Sequence, residues 1–267
     1  MTTLPRNPGV STRPCARCRP AGRAQRVEGT RNLGFTIIEL IVCLGIITVL
    51  CGILLPSLRA TREQAQRFSC QNNMNHIGQA INAYGMSSNG DVPASIHLSP
   101  SAFRPSELMG ARVQAGAAVG GESGWDGLGI LVQRGYIGPS ECRCLHCASH
   151  SGEHPYERYA DAYSSAARIG IYTNYHYSGH ETYADTGAPR RIRIDDGADV
   201  VLLTDGLRTR SDFNHGSGLN RMRADLSVEW WADTRGSLLL SLPELPETAS
   251  SQQHKTIWSR VCDQSFN

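Results

Sequence analysis

Gly34-Phe35-Thr36-Ile37-Ile38-Glu39-Leu40, continuing as IVCLGIITVLCGILL to Leu55, decides how this chain is organised. Residues 35–55 are a run of 21 residues with a single charge, Glu39. At 1.5 Å per residue, a helix of that length spans roughly 30 Å, the thickness of a bilayer's hydrocarbon core. Upstream, residues 1–34 hold seven arginines (Arg6, Arg13, Arg17, Arg19, Arg23, Arg26 and Arg31) against one acid, Glu28. Arginines ahead of an apolar span hold that end in the cytoplasm, so the chain beyond Leu55 is expected on the far side. The leader's +6 against a whole-chain formal charge of +2 leaves about −4 for residues 35–267. The basic residues therefore read as an orientation signal, and no nucleic-acid partner is expected.

Two plainer topologies compete. A secretory signal peptide has a shorter apolar stretch followed by a small-residue cleavage site; this span is longer, and nothing resembling A-x-A follows Leu55. An unprocessed signal anchor has no use for Glu39. A carboxylate at the bilayer centre costs on the order of 2.5–3.5 kcal/mol, and less near an end, so it calls for a named partner. Cutting between Gly34 and Phe35 supplies one: the new α-amine lies four residues from Glu39. The pair can neutralise each other within one subunit or between packed neighbours.

Gly34-Phe35-Thr36-Ile37-Ile38-Glu39-Leu40 resembles the cleavage and methylation signature of type IV prepilins and type II secretion pseudopilins. Pro56, the 22nd residue after the cut, falls where many pilin-like helices carry a proline. The resemblance implies cleavage after Gly34 and N-methylation of Phe35 by a prepilin peptidase/methyltransferase. It also implies a lipid-embedded helix that packs with other pilin-like subunits or with itself. The partners expected are thus the peptidase, such subunits and membrane lipid, at the inner membrane, with the head periplasmic or in an extracytoplasmic filament.

Pro56 should kink or interrupt the helix as it leaves the membrane. Beyond it, Cys70, Met74, Ile77, Ile81 and Tyr84 recur at helical spacing, flanked by polar residues, until Asn89-Gly90-Asp91 and Pro93 end the pattern. His76 on this helix reads as a structural or surface residue. The stretch from Cys70 through Asn72-Asn73 to Tyr84 is similar to a segment of bacterial prepilin-like proteins that carry a C-terminal H-x9-DG motif. Downstream, Trp125–Tyr136 reads as a short helix ended by Gly135. Residues 168–177, 199–204 and 225–231 read as strands.

Three groups of residues could carry chemistry. Cys142, Cys144, Cys147, His150 and His154 have spacings compatible with Zn²⁺, yet standard sites use two separated pairs, and an exported head favours disulfides. A disulfide or local staple, a metal site and inert thiols all remain open readings. Cys147-Ala148-Ser149 echoes, imperfectly, the Cys-Pro-Ser found at this place in the resembling family. Asn214-His215-Gly216 followed by Asp225 is similar to that family's H-x9-DG motif, with Leu226 in place of the glycine; a left-handed turn would strain Leu226, so the turn is expected to differ. A Gly-rich loop and returning strand should bring His215 near Asp225, where with Asp205 the pair fixes the loop, holds a cation or acts as acid and base. Asp195-Asp196-Gly197 and Asp205-Gly206 are turns first, with calcium a weaker reading because the EF-hand spacing is missing. No nucleophile with a supporting motif stands nearby, so no catalytic residue is named and an enzyme is not expected.

The organisation expected is a cleaved leader (1–34), a transmembrane assembly helix (35–55), an amphipathic stalk helix (56–88), an exported head (89–240, with the H-x9-DG-like region at 199–231) and a flexible tail (241–267). The fold class is α+β, pilin-like: a long helix packed on an antiparallel sheet. No cofactor is expected; the alternative is a signal-anchored periplasmic or surface domain that binds a ligand or metal, or less readily a hydrolytic one, with zinc or calcium as the conceivable cofactor.

Overall fold

The first helix, α1, runs over Ile37–Ser87, and its membrane-length first part is apolar with no charge beyond Glu39. The computed structural model describes residues 34–95, 109–112, 124–165, 169–182, 189–245 and 251–263; the leader ahead of Gly34 lies outside them. The chain divides into two units, Met1–Cys51 and Gly52–Asn267. In the first, Gly34 and Phe35 are non-helical and exposed, and Ile37, Ile38, Ile41 and Val49 are all more than 60% exposed. Thr36 and Glu39 form a reciprocal cap: the Thr36 backbone N–H and hydroxyl donate to Glu39 Oε2 (both 2.9 Å), and Glu39 N–H donates to Thr36 Oγ1 (3.2 Å). Among the described residues α1 alone is long and apolar enough to cross a membrane, and none of its most apolar window is buried by protein. That distinguishes it from the core helix of a soluble domain. Pro56 does not interrupt α1. One proline forfeits one backbone bond, a small part of what holds a helix of 51 residues.

In the second unit the stripe read from the sequence is the buried face of α1: Cys70, Met74, Ile77 and Ile81 are fully buried, while Tyr84 is partly covered and His76 is exposed. Gly78 allows close approach, since a Cβ there would meet Met222 Sδ at 3.1 Å. The helix ends where Asn89 and Gly90 turn left-handed (φ +58° and +89°) and Gly90 N–H donates to Gly85 O (2.9 Å).

The stripe packs in a core with Leu203 and Met222 of a four-stranded antiparallel sheet of order β3-β6-β7-β8. These strands are β3 (Tyr175–Tyr177), β6 (Val201–Asp205), β7 (Gly218–Arg223) and β8 (Val228–Ala232). Two small antiparallel pairs flank it, β1 (Gly110–Arg112) with β2 (Ile171–Tyr172), and β4 (His180–Thr182) with β5 (Pro189–Arg191). The fold class is α+β. The helix expected over 125–136 is α2 (Gly129–Gln133), and Gly135 leaves it at φ +77°.

Three local expectations are corrected. The single strand over 168–177 is two, in different sheets, because Thr173 and Asn174 turn their polar groups inward: Thr173 Oγ1 donates to Met109 O (3.1 Å), and the Asn174 amide meets His146 and His154. The strand begun at Asp225 starts at Val228, since Asp225 Oδ1 accepts from Ser227 N–H (3.0 Å) and Oγ (2.6 Å) to make a turn. The tail is not loose throughout. After α3 (Ser237–Ser241), α4 (Ser251–Cys262) buries Ile257 and Val261 in a second core with Leu207, Phe213, Leu219, Trp231, Leu238 and Leu242. Apolar residues four apart on a helix cover one face, and this signal lay behind the Pro- and Ser-rich approach.

Leu226 is the informative exception in the β7–β8 turn. It adopts φ +65°, so the turn keeps the left-handed geometry that a glycine would supply and places a leucine in it. Its side chain is partly buried against the main core, close to the Gly78 face of α1. Packing thus offsets a backbone cost of about 1–2 kcal/mol. Alanine and glycine at 226 both remove the packing, so their difference isolates the backbone term. Leu226→Gly is expected to be more stable than Leu226→Ala by about 1 kcal/mol in urea titration; equal stabilities, or the usual preference for alanine, would contradict the assigned turn.

Candidate functional site

A disulfide and three ionisable side chains meet where α1 faces the end of the sheet. Cys70, on the buried stripe, is bonded to Cys147, which follows the 3₁₀ turn Pro139–Leu145; the Cα atoms are 5.3 Å apart across a sequence separation of 77. Asp205 closes β6, and His215 stands in the loop that leads into β7. Both are completely buried. His215 Nε2 lies 3.6 Å from Asp205 Oδ2 and 3.7 Å from Cys147 Sγ. On its other side His215 Nδ1 is 3.0 Å from Glu63 Oε1. An ionised carboxylate only accepts, so this bond puts a proton on Nδ1 and aims Nε2 at Asp205 and Cys147.

Glu63 is held in turn. Arg67, one turn further along α1, donates from Nε to Glu63 Oε1 (3.1 Å) and from Nη2 to Ser217 Oγ (2.6 Å), while its guanidinium lies 4.0 Å from the Trp230 ring centroid. Asp205 Oδ2 accepts from Asn220 N–H (2.6 Å), but Oδ1 is buried with no hydrogen-bond partner. Burial raises the Asp205 carboxyl to about 6, against the opposing pull of His215 and Asn220. Among the described residues, Cys70, Cys147, Asp205 and His215 are the one group of three or more His, Cys, Asp or Glu residues whose ligand atoms gather within 4.8 Å of one another.

The Cys/His cluster read from sequence does not converge. Cys147 joins Cys70. Cys142 is a buried free thiol that donates to Gly138 O (3.4 Å), and Cys144 is a partly covered free thiol. Burial pushes the two up to about 12 and about 11, so neither supplies a thiolate near neutrality. His150 Nδ1 meets the Asn214 side-chain amide (2.8 Å). His154 bonds Tyr159 Oη (2.7 Å) and the Arg208 guanidinium (2.6 Å), and Arg208 also bonds Asp212 (2.9 Å) and Glu153. These histidines tie the loop over residues 146–163 to the sheet.

His215 and Asp225 are not brought together either. They flank opposite ends of β7, and six extended residues hold their ends roughly 20 Å apart. Asp225 is exposed in the turn and keeps its carboxyl below the usual range through Ser227, while His215 takes Asp205 and Glu63. The calcium reading of Asp195-Asp196 meets arginines: Arg193 Nε bonds Asp195 (2.9 Å), and Arg190 Nη1 bonds Asp196 (2.7 Å). Glu63 was missed, having read only as a polar flank of the stripe. The Cys70–Cys147 pairing had one signal, that each cysteine stood in a separate segment resembling the same family.

Comparison with protein-family models, with curated proteins and with solved structures gave no match.

The closed loop of 77 residues gives the disulfide a chain-entropy contribution of about 4 kcal/mol. Cys70→Ala/Cys147→Ala is expected to lose that amount in urea titration, and a loss under about 1 kcal/mol would show that the bond does not form. A second prediction concerns pH. His146, His154, His180 and His254 are buried and pushed down to about 4. Between about 6.5 and 4 the unfolded chain protonates these four and the folded chain does not, so stability falls as pH falls through that window. Asp205, raised by burial, acts in the opposite direction, but it is one group against four. A Tm that is flat from pH 6.5 to 4 would refute the neutral buried histidines.

Proposed function

We propose that this chain is a pilin-like membrane subunit, cut between Gly34 and Phe35 by a prepilin peptidase and methylated on the Phe35 amine. Its N-terminal helix then assembles with other pilin-like subunits, or with further copies of itself, in a type II secretion or type IV pilus-like system. The head lies outside the inner membrane. The observation that carries the reading is the single carboxylate of the apolar span, Glu39, four residues from the amine that the cut would create. Two further facts support it: the bond to be cut is exposed and precedes the first helical turn, and the apolar face of α1 has no protein cover in its membrane-length window.

The cap with Thr36 gives Glu39 a second role, since in the uncut chain its carboxylate already satisfies the Thr36 backbone N–H. After cleavage the same carboxylate would also face an ammonium one residue earlier. The two roles separate by substitution. Glutamine retains the reach-back hydrogen bond without charge, and leucine loses both.

Mass spectrometry of the membrane-extracted protein is expected to find N-methyl-Phe35 as the first residue. An intact leader or a cut after Leu55 would end the proposal. With processing verified, Glu39→Gln and Glu39→Leu are both expected to reduce cross-linked membrane oligomers at least about tenfold, the equivalent of about 1.4 kcal/mol per contact. If Glu39→Gln assembles like the parent and Glu39→Leu does not, the carboxylate serves the helix cap alone.

A further inference from the structure

The group formed by Cys70, Cys147, Asp205 and His215 has two mutually exclusive chemical states, of which the disulfide is one. Zinc bonded to two sulfurs at about 2.3 Å and to nitrogen and oxygen at about 2.0 Å makes a tetrahedron with edges of roughly 3.3–3.8 Å. Two edges are already close to that length, His215 Nε2 to Asp205 Oδ2 at 3.6 Å and His215 Nε2 to Cys147 Sγ at 3.7 Å. The edge between the sulfurs is short, because a covalent bond holds them at about 2 Å. Breaking that bond and rotating one cysteine about χ1 opens it.

We propose that Cys70, Cys147, Asp205 and His215 form a redox-gated site for a divalent metal of the zinc class, closed to metal when the two cysteines are joined. Three observations beyond proximity carry it. Asp205 Oδ1 is a fully buried oxygen without a hydrogen-bond partner, the sort of group that a structure leaves unsatisfied where it has a ligand to bind. His215 presents Nε2 to the cluster because Glu63 holds Nδ1, the carboxylate–histidine arrangement that orients imidazole ligands on metals. The donor set is two sulfurs, one imidazole and one carboxylate, which suits Zn²⁺ and disfavours Ca²⁺ or Mg²⁺, whose preferred ligands are all oxygen.

The conversion balances with a dithiol as reductant. The dithiol passes two electrons and two protons to the Cys70–Cys147 bond and becomes a disulfide, leaving two thiols in the chain. The incoming M²⁺ displaces the two thiol protons to solvent and is held by two thiolates, Asp205 and His215. Reversal needs loss of the metal and a disulfide as oxidant. A reducing compartment therefore favours the metal form and an oxidising one the bonded form. Metal would replace, as a link between α1 and the segment after the 3₁₀ turn, the tether that reduction removes. The site is independent of whether α1 assembles with other subunits.

The test uses the full chain in detergent, oxidised or anaerobically reduced and desalted, titrated with Co²⁺ and then with Zn²⁺. The reduced chain is expected to take up one equivalent of Co²⁺ with thiolate-to-cobalt charge-transfer absorption, and the oxidised chain none. Cys70→Ser/Cys147→Ser, which keeps the other seven of the nine cysteines, is expected to lose that signal. Asp205→Ala and His215→Ala should each weaken binding about 10–100-fold while still forming the disulfide in air, and Glu63→Gln should weaken it about tenfold. Bound Zn²⁺ should slow reoxidation at least about tenfold. The proposal is overturned if oxidised and reduced chains bind alike, if Asp205→Ala and His215→Ala bind as the parent does, or if the reduced chain loses its near-ultraviolet circular dichroism and Zn²⁺ does not restore it.

Discussion

Burial of one stripe of α1, formed by Cys70, Met74, Ile77 and Ile81, is the constraint on which the head depends. A fully buried methionine or isoleucine side chain contributes roughly 1.5–3 kcal/mol, so Met74, Ile77 and Ile81, with Cys70 in the same row, anchor the sheet against the helix. The contact also dictates residue choice nearby. Gly78 is small so that Met222 can approach, and Leu226 accepts a left-handed backbone to put its side chain on the same surface. Cys70 belongs to the stripe as a hydrophobic residue and to the site as a sulfur ligand or disulfide partner. Fold and chemistry therefore meet in one residue.

Around that sulfur the molecule concentrates polarity it would otherwise keep at its surface. Asp205 and His215 are buried completely, and a chain of contacts from Trp230 through Arg67 and Glu63 ends on the His215 ring. Such a network costs desolvation, which its internal pairing offsets in part. Asp205 Oδ1 is among the buried atoms that this pairing leaves without a hydrogen bond. By contrast, His150 and His154 are fully engaged with Asn214, Tyr159 and Arg208, which explains why a Cys/His spacing that looks like a metal motif serves as loop scaffolding.

The N-terminal unit follows a different logic. Among its described residues the apolar side chains face outward, and the one carboxylate, Glu39, caps the first turn of the helix. A hydrocarbon layer is a surrounding that would make this favourable, because exposing a row of leucines and isoleucines to water is costly.

Residue pattern alone determined the apolar span, the place of Glu39 beside the Gly34–Phe35 bond, the buried stripe of α1 and its end at Asn89-Gly90. These are legible because hydrophobic period, charge and helix-stop chemistry act over a few residues. The second core leaves no long periodic run in the sequence, although Ile257 and Val261 stand one helical turn apart. Only the tertiary structure decided that Cys147 bonds Cys70 rather than Cys142 or Cys144, and that His215 meets Asp205 and Glu63 rather than Asp225. Period says which face of an element is buried, whereas what covers that face depends on strand register and on where distant segments cross. Two cysteines 77 residues apart become neighbours only when the whole sheet has been laid against the helix.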